Sequence, residues 1–244
     1  MITRSHCSTH QVAPVAGVDL HAVAEAVNHR LRAPLVQVGA GATPRREVVS
    51  SGFPTLDAAT GWGGFPRGRL TEIIGRPTAG RETVAARTVA AAGGYSAWVD
   101  VPGLVDVDYL ARCGVDLERL FVLRPPRPQD ALELTAQLIA GNQFAVVVLD
   151  ALADLAPGGK TAEAVARFVR VVGPSLGHGS TAALVLSDPE QHVRSLAHAA
   201  AVRVSLVRVG IIRQGGVFRG WRSRAHVLKS PGRQGAEPGI EVRL

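Results

Sequence analysis

From residue 71 onward, short apolar runs alternate with stretches whose apolar positions recur every three or four residues. The runs 71–74, 96–99, 120–123, 144–149 and 182–186 predict strands, and 144–149 is apolar enough to be buried on both faces. Between them, 81–92, 129–140 and 161–172 carry helical periodicity. Strand, helix and strand repeated in this order imply an α/β fold: a parallel sheet with right-handed crossovers and helices on both faces. After Ala201 the pattern becomes two-residue alternation over 202–209, 217–228 and 239–242, with Gly215-Gly216 in a turn. That predicts an antiparallel flank on the parallel core.

Ahead of this region, Leu20, Val23, Val27 and Leu31 share one face of a helix over 18–31, with Asp19 as its cap and Pro34 beyond its end. Residues 35–38 come next as a short strand, and GAGATPRRE reads as a linker. The expected organisation is an N-terminal arm, 1–45, joined to a core, 46–244. The arm's apolar stripe needs a cover, either its own domain, a neighbouring copy through self-association, or a partner.

With 244 residues, 46% hydrophobic and 5% aromatic, the chain has the composition of a Val/Leu/Ile sheet covered by Ala-rich helices. No apolar run reaches the roughly 18 residues of a membrane span, and the first residues lack a signal-type apolar segment, so a cytoplasmic protein with no membrane partner is expected. Cys7 and Cys113 form no metal or disulfide pattern, and no metal site is expected, the His6, Cys7 and His10 cluster being read as a mobile terminus.

The formal charge is +7, and its excess is C-terminal: from Gln191 on there are ten Lys and Arg against Glu237 and Glu241. Arg208, Arg213, Arg219, Arg222, Arg224 and Lys229, with Arg203 and Arg233, are candidates for one phosphate-neutralising face, and Trp221 and Phe218 for stacking on bases. A solvated strand face is the plainer reading of the same residues.

Residues 75–83, GRPTAGRET, have the spacing of a phosphate-binding loop, with Gly75 and Gly80 in its glycine positions. A working loop places Lys against the β/γ-phosphates and a hydroxyl on Mg²⁺. Here Arg81 and Glu82 stand in those places, with Thr83 one residue too far along, about 100° around the helix. A carboxylate about 4 Å from a phosphate oxygen costs roughly 4 kcal/mol at an effective dielectric near 20. No cofactor is therefore expected, a Mg²⁺–ATP held weakly through Arg81, Thr83 and Asp150 being the alternative.

The stretch SSGFPTLDAATGWGGFPRGRLTEIIGRPTAGRET resembles the opening of the RecA core. WVDVPGLVDVDYLARCGVD is similar to the family's second core strand and the segment after it, AVVVLD to its Walker B strand ending at Asp150, and HAAAVRVSLVRVG to a late core strand. The resemblance runs over about 33–244 and implies a RecA-like core, preceded by an arm like that on which RecA protomers dock. Several family features are replaced. Pro102 stands where the catalytic carboxylate is implied, Ser187-Asp188 where an Asn-Gln sensor is, and the two DNA-binding loops shrink to 157–160 and 189–197. A separate C-terminal domain is not expected.

This combination resembles the ImuA group of RecA-like proteins. That resemblance implies a non-catalytic accessory role in damage-induced mutagenesis, beside a Y-family-like protein and an error-prone C-family polymerase, or beside RecA itself, with DNA as a further partner. Two other readings stay open: a DNA-dependent ATPase that mediates recombination with an atypical loop, and a plain nucleic-acid-binding module.

Overall fold

Four strands with every residue buried form the middle of the molecule: β3 (Leu70–Gly75), β4 (Ser96–Asp100), β6 (Val146–Asp150) and β7 (Ala182–Ser187). Their Val, Leu, Ile and Ala side chains alternate between two apolar layers, which is why the sequence shows continuous apolar runs rather than alternation. The computed structural model describes residues 47–244, apart from 152–154, 156–158, 192, 232–234 and 244, and of the preceding segment only His29. The chain divides into units 1–45 and 46–244, and the elements below belong to the second. The Leu20, Val23, Val27 and Leu31 stripe and the 35–38 strand lie outside the described residues.

Adding β5 (Leu120–Leu123), β8 (Val202–Gln214), β9 (Val217–Lys229) and β10 (Gly239–Arg243) completes an eight-stranded sheet in the order β10-β9-β8-β3-β7-β6-β4-β5. Pairs from β8 through to β5 are parallel, whereas β8–β9 and β9–β10 are antiparallel. The α/β class and the antiparallel C-terminal flank are as the alternation predicted. A separate small ladder pairs β1 (Val48–Val49) with β2 (Phe65–Pro66).

One face of the sheet buries Ile73, Trp98, Val148, Leu184 and Val204 under α1 (Pro54–Ala59), α2 (Arg81–Ala91) and α3 (Val107–Arg112). The other buries Val99, Leu149 and Val185 under α4 (Asp130–Gly141), α5 (Thr161–His178) and α6 (Arg194–Ala199). The helix expected to stop at Val172 continues to His178 through Pro174. Val165, Phe168, Val172 and Leu176 are spaced three or four apart and all buried, so their shared apolar stripe outweighs the hydrogen bond that Pro174 cannot donate. β8 likewise outruns its predicted end at Val209. Beyond Leu206 both sides of the β8–β9 hairpin are largely exposed, so the strand no longer carries an apolar/polar alternation.

Candidate functional site

The loop at the carboxyl end of β3 enters α2 through Gly80, whose φ of 99° is in the left-handed region. A Cβ there would lie 2.9 Å from Val242 Cγ2 of β10, so glycine is required both by conformation and by close approach. At Gly75 a Cβ would sit 3.3 Å from Ala79 Cβ and 3.4 Å from the Leu206 carbonyl. The Ala79 N–H donates to the Arg76 carbonyl at 3.0 Å, closing a turn in which Thr78 has φ 66°. The two glycines and this turn thus set the path of the backbone from β3 into α2.

Its side chains pair with one another only in part. Arg81 is fully buried; its Nε donates to Glu82 Oε1 at 2.7 Å and its Nη1 to the Gly75 carbonyl at 3.1 Å. Nη2 lies 3.8 Å from Asp150 Oδ1, and neither atom has a hydrogen-bond partner. Burial pushes the Asp150 carboxyl up to about 7, opposed by Arg81 and reinforced by Glu82 and Asp100. Trp98 Nε1 finds no acceptor in hydrogen-bond geometry, although its dipole also favours the ionised carboxyl. Thr83, 3% exposed, shares a 2.6 Å hydrogen bond with the Tyr109 hydroxyl, so both groups are engaged. Tyr109 is raised to about 12, chiefly by burial.

Above the loop is a cavity of about 270 Å³ whose walls include Glu82, Thr83, Trp98, Asp106, Tyr109, Asp150 and Trp221. No Lys or Arg is among its lining residues. Trp221, a candidate for stacking on bases, forms part of this wall and stacks on Phe218 with ring centroids 6.4 Å apart. Strand pairing brings it there: Trp221 is registered with Ile211 of β8 and Val242 of β10, a placement that local sequence cannot reveal.

Pro102 lies in the turn after β4. That turn is held by Asp100, whose carboxylate accepts from Leu104 N at 3.0 Å, Val105 N at 3.1 Å and Arg124 Nε at 2.9 Å. Ser187, at the end of β7, donates to Glu72 Oε1 at 2.9 Å, and Arg203 Nε donates to Glu72 Oε2 at 2.5 Å. Sequence reasoning missed this cross-strand trio, although a Glu inside the apolar run LTEIIG was its signal. Asp188 Oδ1 accepts from Glu190 N at 2.9 Å, closing the turn after that strand.

The basic residues do not form one continuous face. Arg208 reaches Thr78 Oγ1 at 3.4 Å beside the loop, and Arg222 pairs with Glu241 at 3.1 Å. Lys229 turns inward to the Ala197 and His198 carbonyls at the end of α6, and burial, with Arg203 nearby, lowers its pKa. Arg213 and Arg219 are exposed near the hairpin tip and Arg224 is exposed further along β9. The spacing of these residues accounts for the dispersal: side chains alternate along a strand, so odd separations such as 203/208/213 and 219/222 place successive arginines on opposite faces, and the register shifts at 203/204, 208/210 and 212/213 make the ladder irregular as well. Arg233 lies outside the described residues. No helix among the described residues is long and apolar enough to cross a membrane.

The RecA N-terminal domain family matches residues 20–168, which include the loop and Asp150. The chain is 30% identical over 238 residues to Protein RecA of Acidothermus cellulolyticus, covering 86% of this chain and 69% of that one. It is 30% identical over 224 residues to Protein RecA of Kineococcus radiotolerans, with 80% and 64% covered. Protein RecA of Aquifex aeolicus is 28% identical over 212 residues, with 75% and 61% covered. The chain thus spans about two thirds of the length of these relatives.

Proposed function

We propose that this chain, which belongs to the RecA family, is a non-catalytic accessory protein of DNA damage tolerance that acts by binding partners rather than by turning over ATP. The observation that carries this reading is the occupied loop. The guanidinium at the lysine position is buried against Glu82 and the Gly75 carbonyl, so it is directed into the protein, not toward a ligand phosphate. A γ-phosphate above the loop would meet the Glu82 and Asp150 carboxylates on walls that carry no cation. No base stands at Pro102 to activate a water, and the nearby Asp100 already accepts three hydrogen bonds.

Loss of the lysine, hydroxyl and base positions together favours the ImuA-like role: assembly with a Y-family-like protein and an error-prone C-family polymerase, or with RecA, the N-terminal arm supplying a docking helix. Titration of the intact protein with MgATP, with hydrolysis followed with and without single-stranded DNA, tests the non-catalytic part. No saturable binding and no turnover are expected. DNA-stimulated turnover lost on Asp150→Ala would establish the recombination-mediator reading instead. Copurification with the two polymerase-type proteins tests the partner assignment, and their absence from such complexes would overturn it.

DNA is a second partner under this reading. The observation in its favour is the exposed hairpin: residues 202–229 contain no Asp or Glu, and Arg213, Arg219 and Arg224 are exposed.

A further inference from the structure

We propose that the cavity above the loop receives an organic cation, an ammonium or guanidinium on an aliphatic stem, where a nucleotide would otherwise sit. The proposal rests on the reading that this site does not take nucleotide. Its first support is the sign of the walls. Glu82, Asp106 and Asp150 contribute three carboxylates and no Lys or Arg lines the space; Arg81 is fully buried beneath the loop, and Arg112, 5.8 Å from the Tyr109 ring centroid, is not among the lining residues. Arg208 approaches only Thr78, with 3.4 Å between Nη1 and Oγ1.

The second support is the unfilled valence of Asp150. The residue is 3% exposed and lines the cavity, yet Oδ1 accepts no hydrogen bond; Arg81 Nη2 stands 3.8 Å away and does not close the contact. A buried carboxylate oxygen in that state is completed by a donor, and a charged N–H donor does so best. The third support is the aromatic wall. Trp98, Tyr109 and Trp221 are among the lining residues, and Tyr109 already holds one guanidinium, that of Arg112, 5.8 Å from its ring centroid; aromatic rings attract such cations and offer nothing to phosphate. Leu104, Val105 and Leu110 give the stem an apolar seat.

A bare metal ion fits less well. Among the described residues, no three His, Cys, Asp or Glu side chains are grouped closely enough to hold one. Asp106 is moreover engaged as the cap of α3, accepting from Tyr109 N at 3.0 Å. The same cation chemistry could arrive as a free amine or as a side chain carried by another protein.

The test uses the intact protein and its tryptophan fluorescence, in a Trp62→Phe background so that the signal comes from Trp98 and Trp221 in the cavity wall. Agmatine, the tripeptide Gly-Arg-Gly and MgATP are titrated separately at about pH 8, where the Asp150 carboxyl, raised to about 7, is ionised, and thermal melting is followed alongside. A saturable change with agmatine or the tripeptide is expected, weakened at least tenfold in Glu82→Gln. Tighter agmatine identifies a free amine as the natural source, and a tighter tripeptide identifies a partner's side chain. Trp221→Ala, on the half-buried wall, provides a second variant should Glu82→Gln alter folding, and is expected to weaken the cation as well. Binding unchanged in both variants would overturn the assignment to this cavity. Silence from all three ligands would overturn the cation proposal alone, leaving the non-catalytic reading in place. Saturation by MgATP with no response to either cation would overturn both.

Discussion

Arg81 Nη2 and Asp150 Oδ1 face each other across 3.8 Å at the carboxyl end of the sheet, both buried and neither hydrogen-bonded. The two residues come from different crossover units, at the head of α2 and the end of β6. They form an ion pair that is incompletely solvated by the protein, and such pairs are costly to bury and sensitive to the loss of either member.

The pair has a pH signature. An Asp in the unfolded chain titrates at its ordinary 3.8, whereas Asp150 in the folded protein is raised to about 7. Between those values the folded protein keeps a proton that the unfolded chain has released, so the contribution of Asp150 to stability falls as pH rises through this window and is flat above it. Its size is bounded by about 4 kcal/mol, at roughly 1.36 kcal/mol per unit. Urea unfolding of the protein and of Asp150→Asn at about pH 5 and about pH 8 should show the variant gaining on the parent at the higher pH. A constant difference between them would contradict the raised value.

Restoring the loop's usual side chains should restore part of its usual chemistry. Arg81→Lys with Glu82→Thr removes the carboxylate from the phosphate position and places a hydroxyl where Mg²⁺ would be ligated. Removing one like-charge contact worth roughly 4 kcal/mol should strengthen nucleotide binding by up to about three decades. Calorimetric titration should then detect MgATP, still without hydrolysis because Pro102 supplies no base. Failure of the double variant to gain any binding would place the obstacle in the backbone or in the Thr83–Tyr109 contact.

Glu72 and Arg203 pair across adjacent parallel strands with side chains 2% and 14% exposed. Arg203→Ala would leave the Glu72 carboxylate buried with only Ser187 for company, a loss expected to cost about 3–5 kcal/mol. Replacing both, Glu72→Leu with Arg203→Met, should cost much less than the single change. Chemical denaturation of the two variants measures the difference, and equal destabilisation would show the pair to be unimportant.

For DNA, the informative arginines are the exposed ones of the hairpin. Alanine at Arg213, Arg219 and Arg224 together should flatten the dependence of log affinity on log salt by about two to three units on duplex. Arg222→Ala should change it less, since that side chain is already paired with Glu241. Anisotropy titrations at several salt concentrations provide the slopes. An unchanged slope in the triple variant would make the hairpin a solvated ribbon.

Much of the fold was legible because its signals are local. The fully apolar strands, the helical periodicities and the glycine turn at 215–216 each arise from a few neighbouring residues. Three six-residue helices, α1, α3 and α6, were not read, being too short to show a period; α1 is marked only by Phe53-Pro54 at its start and α3 by the Asp106 cap. The loop's spacing and Asp150 were also readable. The role of those residues was not, because the burial of Arg81 depends on Gly75 and Asp150, and the place of Trp221 depends on register shifts between β8 and β9. Interactions between strands distant in sequence leave no periodic trace.

The strand order also sets a timetable. β3, which carries the loop, is bonded on one side to β7 and on the other to β8, neither of which begins before Ala182. A ribosome adding about 5–20 residues per second needs roughly 5–20 s to travel from Gly75 to that point. For that interval a strand destined for full burial has no neighbour on either edge, and the loop it carries has no floor. A nascent chain of this design is exposed to premature association for seconds, so lower growth temperatures and early chaperone capture should raise its soluble yield.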